Sequence, residues 1–281
     1  MTSLTSGASA RRMYGLVEPV GLIPYAAEEP AEALLALGLR NYWDTYFAGR
    51  AAPLGRDVPA GVVHAIFYNF APGEAARHIP HVWELITPEA ALAARDRGCV
   101  VALRRMLGDL ADNPSVARAA DLAVKAATCT RTEGRPLYAA LRTLPTPEEP
   151  LARLWHAGNL LREHRGDGHV TALVANGIGS TEAHVLHALW EGMPAEKFGR
   201  VWHLPHAQLA TVVDGMRDRG LIGADGWLTA DGRATKERIE TLTDGLAAPP
   251  YEALEPSELD QLIADLEPIA AALNAVYGAE N

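Results

Sequence analysis

The chain has 281 residues, 48% of them hydrophobic and 21% charged, with a formal net charge of −10. That mix can bury a core of one large or two small domains and is too apolar for disorder. Two cysteines, Cys99 and Cys129, stand far apart, which excludes a disulfide framework or a cysteine metal knuckle and fits a reducing compartment.

The first ten residues are rich in Ser, Thr and Gly without a basic start or an apolar run, so they do not read as a secretory leader. No segment reads as the roughly 20 apolar residues of a membrane helix, and a cytoplasmic protein without a membrane partner is expected. Apolar residues then recur at helical spacing, first as one run through Leu34, Leu35, Leu37, Leu39, Tyr42, Trp43, Tyr46 and Phe47. Thr87-Pro88-Glu89 carries a helix-start signal, and the segment from Cys99 to Leu107 continues as helix. Thr146-Pro147-Glu148-Glu149 predicts a second start, with Thr146 as the cap of an apolar helix over Leu151–Leu161.

The densest polar motif follows, from Arg162 to His169. Its Gly166-Asp167-Gly168 centre predicts a turn that brings His164 and His169 together, with Asp167 to orient them. These three residues are the candidates for acid–base chemistry. His156 lies eight positions before His164, about 80° away on a helical wheel, so no metal site is expected, nor any cofactor. No nucleophile motif, phosphate loop or dinucleotide fingerprint is present.

Helices are predicted over Glu182–Trp190, near Ala195–Trp202 and over Ala207–Arg219, the last stopped by Gly220. Leu221–Thr229 reads as two very short strands about an Ala-Asp-Gly-Trp turn. A long helix follows from about Arg233, and Ser257-Glu258 marks a final start. The segment 246–281 holds seven acids and no Lys or Arg, so most of the net charge belongs to the C-terminal stretch.

Three helices followed by a hairpin are the winged helix-turn-helix order. Together with Met216-Arg217-Asp218-Arg219-Gly220-Leu221-Ile222 and Leu228-Thr229-Ala230-Asp231-Gly232-Arg233, this order resembles the MarR family of regulators over about residues 150–275. The resemblance implies a reading helix, on which His206, Gln208 and Thr211 could touch base edges. The chain departs from the family pattern in two places. The first turns of that helix hold no Arg or Lys, and the hairpin carries Asp225 and no arginine at its tip. Phosphate partners are therefore scarce.

The chain also resembles itself. Val63-His64-Ala65-Ile66-Phe67 is similar to Leu186-His187-Ala188-Leu189-Trp190, and Arg95-Asp96-Arg97-Gly98 repeats as Arg217-Asp218-Arg219-Gly220. Pro136–Leu141 is similar to the segment from Pro249 to Leu254. These matches predict a mostly α-helical, single-chain pseudo-dimer of two winged-helix-like units. Residues 11–145 form a degenerate unit that has lost its wing, and residues 146–278 form the second unit. MarR-like dimers are held by terminal helices and bind effectors near the interface. The resemblance therefore implies a small apolar or aromatic ligand between the units, with the whole chain acting as a monomeric pseudo-dimer or a homodimer. Trp43, Tyr46, Phe47, Arg50, Tyr68, Asn69, His156, His164, Arg165 and His169 are the candidate ligand contacts. Two functions remain open: a ligand-responsive regulator that takes duplex DNA as a second partner, or an enzyme or ligand-sequestering protein built on the His164, Asp167 and His169 corner.

Overall fold

In the computed structural model, residues 6–198 and 204–279 are described. The first half runs through α1 (Ser6–Gly21), α2 (Ile23–Ala26), α3 (Glu28–Leu35), α4 (Tyr42–Ala51) and α5 (Ala60–Phe67). It continues through α6 (Val82–Leu85), α7 (Pro88–Leu107), α8 (Pro114–Thr128) and α9 (Pro136–Leu141). The apolar run from Leu34 to Phe47 is divided between α3 and α4. The division falls at Asn41, whose side-chain oxygen accepts the N–H groups of Trp43 at 2.9 Å and Asp44 at 3.0 Å and so starts a new helix. Thr87 caps α7 as expected, with Oγ1 accepting the Ala90 N–H at 3.2 Å, and α7 continues through Cys99 to Leu107.

The central element is α10 (Pro150–Ala175), 26 residues and about 39 Å long. It begins three residues later than the Thr146 signal predicts. Glu149 is the cap, its carboxylate accepting the Ala152 N–H at 2.6 Å, with Pro150 in the first turn. The predicted turn at Gly166-Asp167-Gly168 is also corrected, because α10 passes through all three residues as helix. Glycine serves close approach there: a Cβ on Gly168 would lie 2.9 Å from the Arg135 guanidinium and 3.2 Å from Leu246 Cβ. Helix α10 is buried on several sides, against α1, α7, α8, α9 and α13, and so shows no single apolar stripe. Its interior positions include His156, Asn159, Glu163, His164 and Asp167.

Helix α11 (Ser180–Trp190) starts two residues before the expected Glu182. The Glu182 carboxylate accepts the Gly179 N–H at 2.8 Å and fixes that start. Of the helix expected near Ala195–Trp202, the described part is one 3-10 turn at Ala195–Lys197, after which Phe198 is extended. Residues 199–203 lie outside the described residues. Helix α12 (His206–Asp218) ends as predicted: Gly220 adopts φ +74°, and the Leu221 N–H donates to the Met216 carbonyl at 2.9 Å. The predicted strands reduce to one antiparallel bridge between Ile222 and Leu228, with the Gly223 N–H donating to the Trp227 carbonyl at 2.8 Å. Among the described residues no longer strand forms. Helix α13 (Ala230–Ala247) is capped by Thr229, earlier than Arg233, and α14 (Pro249–Glu252) and α15 (Pro256–Ala279) complete the chain.

Among the described residues, two apolar cores result. The larger draws on α1–α10 and the C-terminal segment, around Phe47, Trp83, Leu103, Tyr138, Trp155 and Leu262. The smaller lies within 172–239 and gathers Leu173, Val185, Leu186, Met216, Ile222 and Ile239. Helix α10 feeds both. The expectation that no segment could span a membrane needs amending, since α15 is long and apolar enough by length and composition. Its Leu262, Leu266, Ile269 and Leu273 are buried in the larger core, however, and its Asp265 takes two hydrogen bonds from Arg118 at 2.6 and 2.7 Å.

The repeated Arg-Asp-Arg-Gly tetrapeptide adopts two structures. Gly220 ends a helix, whereas Gly98 lies inside α7 where α3 crosses it. A Cβ on Gly98 would fall 2.5 Å from Pro30 Cα and 2.7 Å from the Glu29 carbonyl oxygen, both backbone atoms. Gly98→Ala gains about 1 kcal/mol of helix propensity, but it forces two helices apart at a net cost of about 1–3 kcal/mol. Urea unfolding checks this; a midpoint equal to or above the parent's would overturn it.

Candidate ligand cleft and reading helix

The cleft is built around an ion triad on α10. Glu163, 2% exposed, accepts two hydrogen bonds from Arg50, at 3.1 Å from Nε and 2.9 Å from Nη2, and a third from Arg162 at 3.0 Å. Arg162 also reaches Glu18 of α1 at 3.3 Å. Burial pushes the Glu163 carboxyl up, but Arg50 and Arg162 outweigh it and hold the group below the usual carboxylate value. The guanidiniums lie over aromatic faces, Arg50 at 4.5 Å from the Phe67 centroid and Arg162 at 5.1 Å from that of Tyr25. One turn on, Arg165 pairs with Asp244 of α13 at 2.8 Å and lies 4.4 Å over Tyr14.

Above these charges opens a cavity of about 890 Å³ between α1, α4 and α5 on one side and α11 and α13 on the other. Tyr25, Tyr42, Trp43 and Tyr46 form one wall; His184, His187, Trp190 and Phe198 form the other. Of the expected contacts, Trp43, Tyr46, Arg50, Asn69, Arg165 and His169 line this cavity, as does Asp167. The other four stand outside the lining. Phe47 is fully buried and stacks on Phe67 and His78. His156 is buried near Arg95 and Asp96. His164 meets Tyr138 edge-on at 4.9 Å, and its carbonyl accepts from Arg135. Tyr68 donates its hydroxyl to the Ile178 carbonyl at 2.5 Å.

His164 and Asp167, one turn apart on the unbroken α10, both face α9, whereas His169 points to α13, so the three do not converge on one site. The Asp167 carboxylate accepts the N–H groups of Leu137 at 3.1 Å and Tyr138 at 3.0 Å, the first turn of α9. His169 Nδ1 lies 3.0 Å from the Thr243 hydroxyl. Burial lowers the pKa of His164 to about 3 and that of His169 to about 4, so both are neutral at pH 7. Among the described residues no group of three His, Cys, Asp or Glu could hold a metal ion. Sequence reasoning missed Arg11, Tyr14 and Glu18, whose spacing puts them on one face of α1, and His187 and Trp190, which share a face of α11.

The body meets the 172–239 core at a strained joint. Tyr68 adopts φ +56° and ψ −53°, and two successive tight turns follow: the Asn69 N–H donates to the Phe67 carbonyl at 2.6 Å and the Phe70 N–H to the Tyr68 carbonyl at 2.8 Å. That hand of γ-turn is rare and costs energy. Here it is held by the Tyr68–Ile178 bond and by a 3.0 Å contact between His184 Nε2 and the Asn69 carbonyl. Phe67 and Asn69, on either side of Tyr68, face the cleft.

On α12, His206, Gln208 and Thr211 are exposed. The helix's Arg217 is paired with Asp214 at 2.5 Å, and Arg219 just beyond it is paired with Glu182 at 2.5 Å. Trp227 is 38% exposed on the hairpin, and Arg233 is exposed on α13.

A family model described as a helix-turn-helix family matches residues 10–279. No curated protein and no solved structure matches the chain.

Glu163→Ala leaves the partly buried Arg50 guanidinium without its carboxylate and Arg162 with Glu18 alone and should cost about 2–4 kcal/mol; urea unfolding measures it, and a loss below about 1 kcal/mol would show that the triad contributes little. Asp167 gives a pH test. Burial pushes its carboxyl up to about 7 against the pull of the Tyr138 N–H. Between the ordinary carboxylate pKa near 4 and about 7, the folded state then keeps a proton that the unfolded chain releases. This group's contribution is therefore complete in acid and is lost as pH rises through about 7. Asp167→Asn can still accept both N–H groups and should flatten that slope relative to the parent, whereas Asp167→Ala should cost about 2–4 kcal/mol through two orphaned donors. Identical pH profiles for the parent and the Asn variant would refute the assignment.

Proposed function

Because the chain belongs to the helix-turn-helix family, we propose that it is a ligand-responsive regulator that contacts duplex DNA through α12. The single observation that carries this reading is the 890 Å³ aromatic cleft, which opens between the helical body and the elements that carry α12. A molecule in that cleft touches α4 and α5 on one side and α11 on the other, and α11 shares a core with α12. Binding there is coupled to the angle of α12 through a shared apolar core, and the strained Tyr68 joint is the hinge that yields. Gly220, the bridged hairpin and the Thr229-capped α13 support the closer likeness to the MarR family. The repeat enters the same reading as a duplication of units 11–145 and 146–278, supported by the helical placement of its first block in both α5 and α11. Such a regulator works in the cytoplasm, with the DNA.

The base-reading residues are His206, Gln208 and Thr211. With Arg217 and Arg219 already paired to carboxylates, phosphate contacts are few, and direct readout must supply much of the specificity. Duplex fragments selected from genomic DNA at moderate salt provide the test. The parent should retain a defined fragment, and Gln208→Ala should weaken that binding about tenfold or more with little change in binding to random duplex. A purified protein that ignores every promoter fragment, its own included, defeats the reading.

A further inference from the structure

We propose that the cleft receives an uncharged, planar polycyclic aromatic molecule that bridges Tyr42 and Trp43 on α4 to Trp190 on α11. This proposal rests on the ligand-responsive reading above and narrows it to one ligand class.

Three observations carry it. First, both walls present aromatic faces, and the outermost of them are open to solvent: Tyr42 is 45% exposed and Trp190 40%. Large exposed rings on opposite walls of one cavity suit a flat π-system, which each ring can meet face-on or edge-on. Second, the five lysines and arginines among the described residues of the lining already have acidic partners. Arg50 and Arg162 hold Glu163, Arg11 and Arg165 hold Asp244, and Lys236 holds Glu240. An anionic ligand would have to share a guanidinium already engaged by Glu163 or Asp244, weakening a charge-assisted pair that the protein holds in place. A cationic ligand fares little better. Glu18 and Glu240 are engaged by Arg162 and Lys236, and the rim acids Glu191 and Glu237 are exposed and screened by water. Third, the cavity of about 890 Å³ falls within the usual range for a drug-sized organic molecule and is far larger than an ion or a single ring needs. His169 and His187, kept mostly neutral by burial, can hydrogen-bond a ring carbonyl or hydroxyl without demanding a charge.

The test is titration of the full-length protein, free of DNA, with three planar tricyclic probes: acridone (uncharged), anthraquinone-2-sulfonate (anionic) and proflavine (cationic). Fluorescence anisotropy follows acridone and proflavine, and calorimetry follows the sulfonate. Acridone should bind at least tenfold more tightly than either charged probe. Trp190→Ala and Tyr42→Ala, both at half-exposed positions and so expected to fold, should each weaken acridone at least tenfold, and Trp190→Phe should restore most of that loss. The proposal is overturned if either charged probe binds as well as acridone, if none of the three binds, or if Trp190→Ala leaves acridone affinity unchanged. Failure of the regulator reading looks different: acridone binds as described, but no duplex is retained with or without it.

Discussion

The body wall of the cleft depends on keeping one carboxylate charged inside the protein. Glu163 sits almost fully buried in the middle of α10, and an isolated buried carboxylate would take up a proton instead of remaining ionised. Arg50 and Arg162 remove that option by supplying three hydrogen bonds and two positive charges. The guanidiniums are in turn placed by Tyr46, by the rings of Phe67 and Tyr25, and by Glu18. One charge on α10 thus sets the positions of α1, α4 and α5, which together form the body wall of the cleft. Such a triad adds little net stability over a well-fitted apolar cluster, but it tolerates few alternative arrangements.

The second constraint is the continuity of α10. Its first half belongs to the large core, and its last turn supplies Ala172 and Leu173 to the small one. A break at Gly166-Asp167-Gly168 would have let the two cores swing independently. With the helix intact, the 172–239 elements follow from one continuous helix and are joined to the body by lateral ties as well. Those ties are Arg165 and Arg11 on Asp244, and the Tyr68–Ile178 bond. Helix α10 itself forms the floor of the cleft through Arg162, Arg165, Asp167 and His169, and the ties of Arg165 and Arg11 to Asp244 lie beside it.

Local chemistry was readable along the chain wherever a signal needs only its neighbours. The Thr87 cap, the Gly220 stop, the tight 222–228 turn and the helical class all follow from short-range hydrogen bonding and from the positive φ that glycine accepts. The same local logic misled at Gly166-Asp167-Gly168 and at the Arg-Asp-Arg-Gly repeat. Glycine also stands where another chain segment must come within van der Waals contact, and only the partner, Arg135 and Leu246 in one case and Pro30 in the other, distinguishes that use from a turn. Thr146 misled in a milder way, since Glu149 with Pro150 offered an equally good cap nearer the helix.

By itself, the sequence determined that this is a mostly helical chain whose order of elements resembles a helix-turn-helix protein. It also marked Trp43, Tyr46, Arg50, Arg165 and His169 as residues suited to an amphipathic site. Tertiary structure decided which of the marked residues share a cavity. His164 was turned away against Tyr138 and Phe47 went to the core, while Asp167 reaches the cavity lining with its carboxylate held by the first turn of α9. The reason is geometric. A helix advances about 100° per residue, so His164 and Asp167, one turn apart, both face α9, while His169 faces Thr243 of α13. Which residue each one meets depends on how separate helices pack, which no local stretch of sequence specifies.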